Sequence, residues 1–189
     1  MAITRFAPSP TGYLHIGGLR TSLYNYLWAR KTNGEFRLRI EDTDTARNNE
    51  EAMKAIISAF DWVGLNYDGE VFYQSKRTDV YKIYIDKLLE SGKAYKCYMS
   101  KDELDSLRAA QEAAKQSPRY DGTWRPEDGK VLPAIPAGVE PVIRIKAPTT
   151  GTIEFDDGVK GYMKFDANQV DDYVIARSNG MPTYNFVVA

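Results

Sequence analysis

The first eighteen residues contain a loop whose backbone has little conformational freedom. Pro8 and Pro10 fix their own φ angles and bias the residues before them towards extended backbone. A short apolar stretch precedes the loop, and a helical pattern follows it from Leu19. Gly17 and Gly18 stand where that helix begins, so no side chain blocks its unpaired backbone N–H groups. The segment therefore predicts a strand, a constrained turn and a helix start that is suited to binding phosphate.

The hydrophobic pattern after this turn predicts alternating helices and strands. A helix is expected over 18–31, with recurring residues Leu19, Leu23, Tyr26, Leu27 and Arg30. A strand follows, in which Phe36, Leu38 and Ile40 alternate with arginines, and further helices are expected over 46–62 and 77–90. A strand, a helix and a strand with glycine in the first turn are typical of a doubly wound parallel sheet. Such sheets bind ligands beyond the carboxyl ends of their strands.

An acidic cluster, Glu41-Asp42-Thr43-Asp44, follows the second predicted strand. Its carboxylates repel one another, so folding alone would hardly select them, and a binding role is one interpretation. The other interpretation is a solvated turn in which Asp44 or Thr45 caps the next helix. The two interpretations are compatible.

From about residue 93 the pattern changes. Ser100 and Glu103 have the spacing of a capping box and predict a helix that runs to about Lys115. Short strands are expected at 142–146, 152–155, 162–165 and 173–176, separated by turn residues, which favours an antiparallel α+β insertion. A final strand is expected at 184–188.

Composition excludes several classes of protein. No apolar run approaches the ~20 residues needed to span a bilayer, and no signal peptide is recognisable, so a cytoplasmic location is expected. The single cysteine, Cys97, excludes an internal disulfide and a cysteine-rich zinc site. The net charge of −1 predicts no global attraction to nucleic acid, so any contact with RNA must come from local basic patches.

Three motifs resemble those of class I aminoacyl-tRNA synthetases, and more narrowly those of the glutamyl-tRNA synthetases. They are Pro-Ser-Pro-Thr-Gly-Tyr-Leu-His-Ile-Gly-Gly at 8–18, Ile-Glu-Asp-Thr-Asp at 40–44 and Gly-Met-Pro-Thr-Tyr-Asn-Phe at 180–186. The resemblance implies an α/β fold with a Rossmann-like, doubly wound parallel sheet and an α+β connective insertion. It divides the chain into the first half of a catalytic domain (1–92), a connective insertion that grips the tRNA acceptor end (93–172) and the start of the second half (173–189).

The resemblance also implies the site residues. Glutamate would be bound by Arg5, Ala7, Ser9, Glu41, Tyr184 and Asn185, with Arg5 on the side-chain carboxylate and Glu41 on the α-amino group. ATP would be bound by Ser9, Pro10, Thr11, Gly12, His15, Gly17 and Gly18, with Gly17 admitting adenine close to the backbone. The catalytic residues among them would be Thr11, His15, Gly17 and Gly18. Gly18 stands where family members commonly carry a second histidine, so His15 is the imidazole available to ATP.

The implied activity is ATP-dependent activation of glutamate, with Mg²⁺ carried by ATP, and its transfer to tRNA-Glu by a monomeric parent protein. No zinc is expected, because Met99 and Trp124 stand where zinc-binding members place cysteines. Two alternatives stay open, a paralogue that glutamylates a modified base of tRNA-Asp and a non-catalytic module that binds ATP or the tRNA acceptor. The family continues well beyond 189 residues, so the chain is expected to be an N-terminal fragment without activity of its own.

Overall fold

The first 78 residues form a parallel β-sheet with two connecting helices. The computed structural model describes residues 1–43 and 47–188, and they separate into two compact units, Met1–Thr78 and Asp79–Ala189. In the first unit, three parallel strands lie side by side in chain order: β1 (Ile3–Phe6), β2 (Glu35–Ile40) and β3 (Phe72–Tyr73). Helix α1 (Ile16–Lys31) connects β1 to β2, and α2 (Glu50–Val63) connects β2 to β3. The predicted α/β fold with a parallel sheet is confirmed.

Both helices pack on the same face of this sheet. The two crossovers advance in the same direction, and right-handed crossovers of that kind place their helices on one side. The core there is formed by Phe36, Leu38 and Ile40 of β2 with Ala29 of α1 and Ile56 and Phe60 of α2. Because side chains alternate along a strand, Arg37 and Arg39 lie on the other face. The pairing of Arg5 with Arg37 brings Arg5 to that face as well.

Helix α1 uses a different stripe for packing from the one expected. Leu19, Tyr26 and Ala29 pack against the core, whereas Leu23 and Leu27 are 43% and 52% exposed. Positions 19, 22, 26 and 29 follow one helical stripe, and 23 and 27 lie on its flank. The small side chains at two of these positions, Ser22 and Ala29, are fully buried.

Helix α2 begins later than expected, at Glu50. Its N-cap is Asn49, whose side chain accepts hydrogen bonds from the backbone N–H groups of Glu51 (2.8 Å) and Ala52 (3.2 Å). Both interactions satisfy donors that a helix start leaves unpaired. The proposed alternative caps, Asp44 and Thr45, lie outside the described residues.

The second unit contains antiparallel strands, as the sequence predicts for this part of the chain. Strands β4 (Ala94–Cys97), β5 (Val142–Ile145) and β8 (Val174–Ala176) form one sheet in the order β4-β5-β8, and β6 (Thr152–Asp157) pairs with β7 (Gly161–Asp166) in a hairpin. The helices are α3 (Thr78–Glu90), α4 (Lys101–Ala113) and α5 (Tyr184–Val187). The capping box at the start of α4 is confirmed: Ser100 accepts from the backbone N–H of Glu103, whose carboxylate accepts from the backbone N–H of Ser100. The division of the chain at 92 and 172 stays a prediction.

The strand expected at 184–188 is wrong, because these residues form α5. The chain reaches the sheet just before this point: Ala176 pairs with Pro182, and the backbone N–H of Thr183 donates to the carbonyl of Ile175. The Thr183 hydroxyl also donates to the carbonyl of Val174 (2.7 Å). The carbonyl of Thr183 then accepts from the N–H groups of Phe186 and Val187, which turns the chain into a helix. Within residues 1–43 and 47–188, no helix is long and apolar enough to cross a membrane.

A buried carboxylate joins several segments of the second unit. The two oxygens of Asp172 accept from the Arg125 guanidinium at 2.5 and 2.7 Å, from the Tyr95 hydroxyl at 2.5 Å and from the backbone N–H of Ala147 at 2.8 Å. Burial and the hydrogen bond to Asp172 raise the pKa of Tyr95, which keeps this hydroxyl a donor. The interactions connect β4, the loop around Arg125, the end of β5 and the start of β8.

We expect Asp172→Asn to lower the free energy of unfolding by about 3 kcal/mol or more, because it leaves the buried Arg125 cation without its charge partner. Glu127→Gln is the matched control. Glu127 pairs with the same guanidinium at 3.1 Å but is half exposed, so its loss should cost less than about 1 kcal/mol. Urea denaturation of both variants measures the difference, and equal losses would contradict a dominant role for Asp172.

Candidate active site

Two backbone hydrogen bonds hold the loop that follows β1. The carbonyl of Pro8 accepts from the N–H of Glu41 (3.0 Å), and the carbonyl of Pro10 accepts from the N–H of Asn49 (2.9 Å). Pro10 is fully buried, whereas Ser9, Thr11 and Gly12 of the same loop are exposed. The loop is thereby fixed against the end of β2 and the start of α2. Of its predicted ATP-binding residues, Ser9, Thr11 and Gly12 face solvent, whereas Pro10 does not.

His15 is the N-cap of α1. Its Nδ1 atom accepts a hydrogen bond from the backbone N–H of Gly17 (3.1 Å), and its carbonyl accepts from the N–H of Leu19 (3.1 Å). Since Nδ1 is the acceptor, Nε2 is the ring nitrogen left to donate to a ligand. The imidazole is exposed at the end of the helix, where the helix dipole favours negative charge.

At this helix start, Gly17 and Gly18 each lack a side chain for a different steric reason. A Cβ atom on Gly17 would lie 2.9 Å from Cε1 of His15, so Gly17 gives the capping imidazole its space. A Cβ atom on Gly18 would lie 2.7 Å from Cδ1 of Leu14. The sequence predicted that Gly17 leaves the backbone open to a ligand, and the structure adds that His15 occupies part of this space.

The sheet face opposite the helices carries three arginines and two glutamates. Arg37 pairs with Glu35 at 2.5 Å, and Arg39 pairs with Glu41 at 2.7 Å. Among residues 1–43 and 47–188, no carboxylate forms an ion pair with Arg5. Partial desolvation lowers the pKa of Arg5, the nearby Arg39 charge lowers it further, and Glu41 raises it. Arg5 is thus the cation on this face that is left to meet an added carboxylate.

The two described carboxylates of the acidic cluster have different partners. Glu41 is buried and turns towards Arg39, whereas the buried Asp42 accepts from the backbone N–H (2.8 Å) and the hydroxyl (2.6 Å) of Ser75. Asp42 therefore fixes the turn after β3 to the end of β2. The third carboxylate, Asp44, lies outside the described residues.

The remaining predicted site residues lie in separate parts of the chain. Ala7 is half-buried at the end of β1 in the first unit. Tyr184 and Asn185 belong to the second unit, where both are exposed at the start of α5. Contacts of these three residues with glutamate stay predictions.

No group of three or more histidine, cysteine, aspartate or glutamate side chains is arranged for metal binding within the described residues. The Cys97 thiol is buried and donates to the Tyr120 hydroxyl (3.5 Å), which in turn accepts from the backbone N–H of Trp124 (2.6 Å). The absence of zinc from the insertion stays a prediction.

The entire chain, residues 1–189, matches the family of class I tRNA synthetases (E and Q), catalytic domain, and the chain belongs to this family. Glutamate–tRNA ligase 1 of Aliarcobacter butzleri is 92% identical over 189 residues, and glutamate–tRNA ligase 1 of Campylobacter hominis is 66% identical over 189 residues. The chain spans 40% of the length of each of these relatives.

A solved structure agrees with this membership. The crystal structure of a glutamate tRNA ligase from Elizabethkingia meningosepticum in complex with its amino acid matches 98% of this chain with a TM-score of 0.85 and 36% identity. This chain covers 40% of that one. The resemblance stated from the three motifs is therefore confirmed at the level of the family.

Sequence reasoning missed two features of this site. One is the role of the Pro8 and Pro10 carbonyls, which no residue type reveals because the groups belong to the backbone. The other is Arg39, whose pairing with Glu41 depends on strand geometry. A signal for Arg39 was available, since an arginine that alternates with buried apolar residues shares its face with the residue two positions later.

We expect His15→Ala to lower the free energy of unfolding by about 0.5–2 kcal/mol, the usual cost of a lost N-cap. His15→Asn restores a strong capping side chain and should keep stability at or above that of the original chain. Urea denaturation of the two variants decides the matter. If His15→Asn were as destabilising as His15→Ala, the capping role of His15 would be refuted.

Proposed function

We propose that the full-length protein containing this chain is a glutamate–tRNA ligase, which activates L-glutamate with ATP and transfers it to the 3′ end of tRNA-Glu. The observation that carries this proposal is the arrangement of Arg5 and Glu41 on one face of two neighbouring strands. Family membership and relatives named glutamate–tRNA ligase support it.

Arg5 and Glu41 have the charges needed to select glutamate. A guanidinium binds a carboxylate through two parallel hydrogen bonds, and Arg5 has no carboxylate partner among the described residues. Glu41 offers a carboxylate to an ammonium group. A ligand with a carboxylate at one end and an ammonium at the other satisfies both, and Ala7 and Ser9 would line the floor between them.

The start of α1 suits the phosphates of ATP. Nε2 of His15 and the backbone N–H groups of the first helical turn that do not donate to His15 are donors at the same end of the helix. The exposed loop residues Ser9, Thr11 and Gly12, together with Pro10, Gly17 and Gly18, would surround the nucleotide. Mg²⁺ would be carried by the nucleotide phosphates and would offset their charge.

The reaction requires alignment and charge stabilisation, and no protein nucleophile. An oxygen of the glutamate α-carboxylate attacks the α-phosphorus of ATP, a new O–P bond forms, and pyrophosphate leaves. A hydroxyl of the terminal tRNA ribose then attacks the activated carbonyl carbon, and AMP leaves. The chain's contribution is to hold glutamate at Arg5 and Glu41 while His15 and the helix start hold the phosphates, which stabilises the charge that develops in the transition state.

The second unit would serve tRNA. Strands β4 and β5 and the β6–β7 hairpin lie within 93–172, the stretch that the resemblance assigns to the tRNA acceptor end, whereas β8 lies beyond it. Tyr184 and Asn185 are proposed to contact the bound glutamate. The proposal implies that the full-length enzyme acts as a monomer in the cytoplasm, where tRNA is found.

We expect Arg5→Ala, made in a full-length protein carrying this chain, to reduce kcat/KM for glutamate more than for glutamine. The pair that is lost with glutamate involves two charges and is worth about 1.5–3 kcal/mol, a factor of roughly ten to one hundred in selectivity. Arg5→Lys keeps the charge and loses the planar fork, so its selectivity should be intermediate. Aminoacylation with each labelled amino acid measures the ratio, and equal losses would remove Arg5 from the side-chain carboxylate.

A further inference from the structure

The ion pair between Arg39 and Glu41 is more buried than the other ion pairs of the first unit whose partners are described. The Nη2 atom of Arg39 lies 2.7 Å from Oε1 of Glu41, and the two side chains are 11% and 8% exposed. Arg37 and Glu35 form a comparable pair on the same strand, but those side chains are 37% and 40% exposed. Strand β2 and the residue that follows it therefore carry one buried and one accessible arginine–glutamate pair.

The stability of the fold alone does not explain a buried ion pair at this position. Removing two charges from water costs several kcal/mol per ion, and apolar replacements of similar volume are often as stable or more so. The Nε atom of Arg39 is also buried without a hydrogen-bond partner among the described residues, which is a further cost. The arrangement is thus poor as a stabilising device, and its geometry must be explained by what it does to Glu41.

Glu41 is held at both ends. Its backbone N–H donates to the carbonyl of Pro8, and Oε1 of its carboxylate accepts from Arg39. The pair follows from strand geometry, since residues two positions apart point to the same face. With its backbone and one oxygen fixed, the carboxylate has a defined direction, and Oε2 is the oxygen left for a further donor.

Arg5 adds a reason for this arrangement. It lies on the same sheet face, and its positive charge is close enough to Arg39 for the two to repel. An Arg39 side chain directed at Glu41 is neutralised there, so that it does not compete with Arg5 for an incoming carboxylate. The two arginines then have separate tasks on one face.

We propose that Arg39 is a positioning residue for amino acid binding: it fixes the Glu41 carboxylate so that Oε2 receives the α-ammonium group of the substrate. This inference rests on the proposed function, in which Glu41 binds that ammonium. Arg39 itself does not touch the substrate. Its effect should therefore appear only for ligands that carry an α-amino group.

The test compares L-glutamate with glutarate, the same dicarboxylate without the amino group, in a full-length protein carrying this chain. Dissociation constants are measured by isothermal titration calorimetry for the unaltered protein, Arg39→Met, Arg39→Lys and the control Arg37→Met. Aminoacylation with labelled glutamate is measured alongside, and circular dichroism confirms that each variant is folded.

The unaltered protein should bind glutamate at least about tenfold more tightly than glutarate, since the ammonium–carboxylate contact is charge-assisted. Arg39→Met should reduce this preference to about threefold or less through weaker glutamate binding, while glutarate binding changes little. Arg39→Lys should give an intermediate preference for glutamate over glutarate, and Arg37→Met should keep the preference of the unaltered protein. In aminoacylation, KM for glutamate should rise more than kcat falls in Arg39→Met.

If Arg39→Met weakened the binding of both ligands equally, the role of Arg39 would be merely structural and the inference would be overturned. If Arg39→Met fails to fold, Arg39→Lys decides, and an unchanged preference in that variant is equally contrary. A protein that charges tRNA with glutamate but does not prefer glutamate over glutarate would refute the inference and leave the proposed function standing. A folded protein that neither binds nor transfers glutamate would refute both.

Discussion

The geometry of the site depends on the two backbone hydrogen bonds made by the carbonyls of Pro8 and Pro10. They connect the loop after β1 to Glu41 at the end of β2 and to Asn49 at the start of α2. The prolines limit the conformations that this loop loses on folding, and the carbonyls give it fixed partners. As a result, one short loop determines where three structural elements meet. The capping histidine of α1 follows at the end of the same loop.

The parallel pairing of β1 with β2 has an electrostatic consequence. It brings Arg5 into register with Arg37, and like charges on facing positions are unfavourable. Glu35 and Glu41 each offset one arginine of this face, and Arg5 is left without such a partner among the described residues. The unbalanced cation is the feature that favours an anionic ligand in the proposed function. It is the physical basis for proposing that the first unit binds a substrate with a carboxylate.

Much of the fold could be predicted because it follows from local patterns. The helices, the βαβ arrangement and the capping box of Ser100 and Glu103 depend on residue spacing over one or two turns. The run at 184–188 was misassigned because the chain pairs with β8 at Pro182 and Thr183 and then turns into α5, a tertiary effect that apolar content does not reveal. Strand β4, Ala94–Cys97, was missed because its residues do not alternate between buried and exposed: Ala94 and Tyr95 are both buried.

The candidate site could be predicted only in part, because local sequence patterns show its residue types better than the contacts they make. Its residue types at Arg5, His15 and Glu41 form motifs that are visible in the sequence, whereas their partners are not. Asp42 and Ser75 are 33 positions apart in sequence, and Arg39 could be matched with Glu41 only by assuming that strand geometry continues past Ile40. The steric reason for Gly17 likewise required the position of the His15 ring.

The central claim is that the face of β1 and β2 opposite the helices binds glutamate in one orientation. A crystal structure of a full-length protein carrying this chain, with L-glutamate bound, tests it most directly. The account predicts the side-chain carboxylate within about 3 Å of the Arg5 guanidinium and the α-ammonium on Oε2 of Glu41. Glutamate bound in the reverse orientation, or away from these two strands, would contradict it.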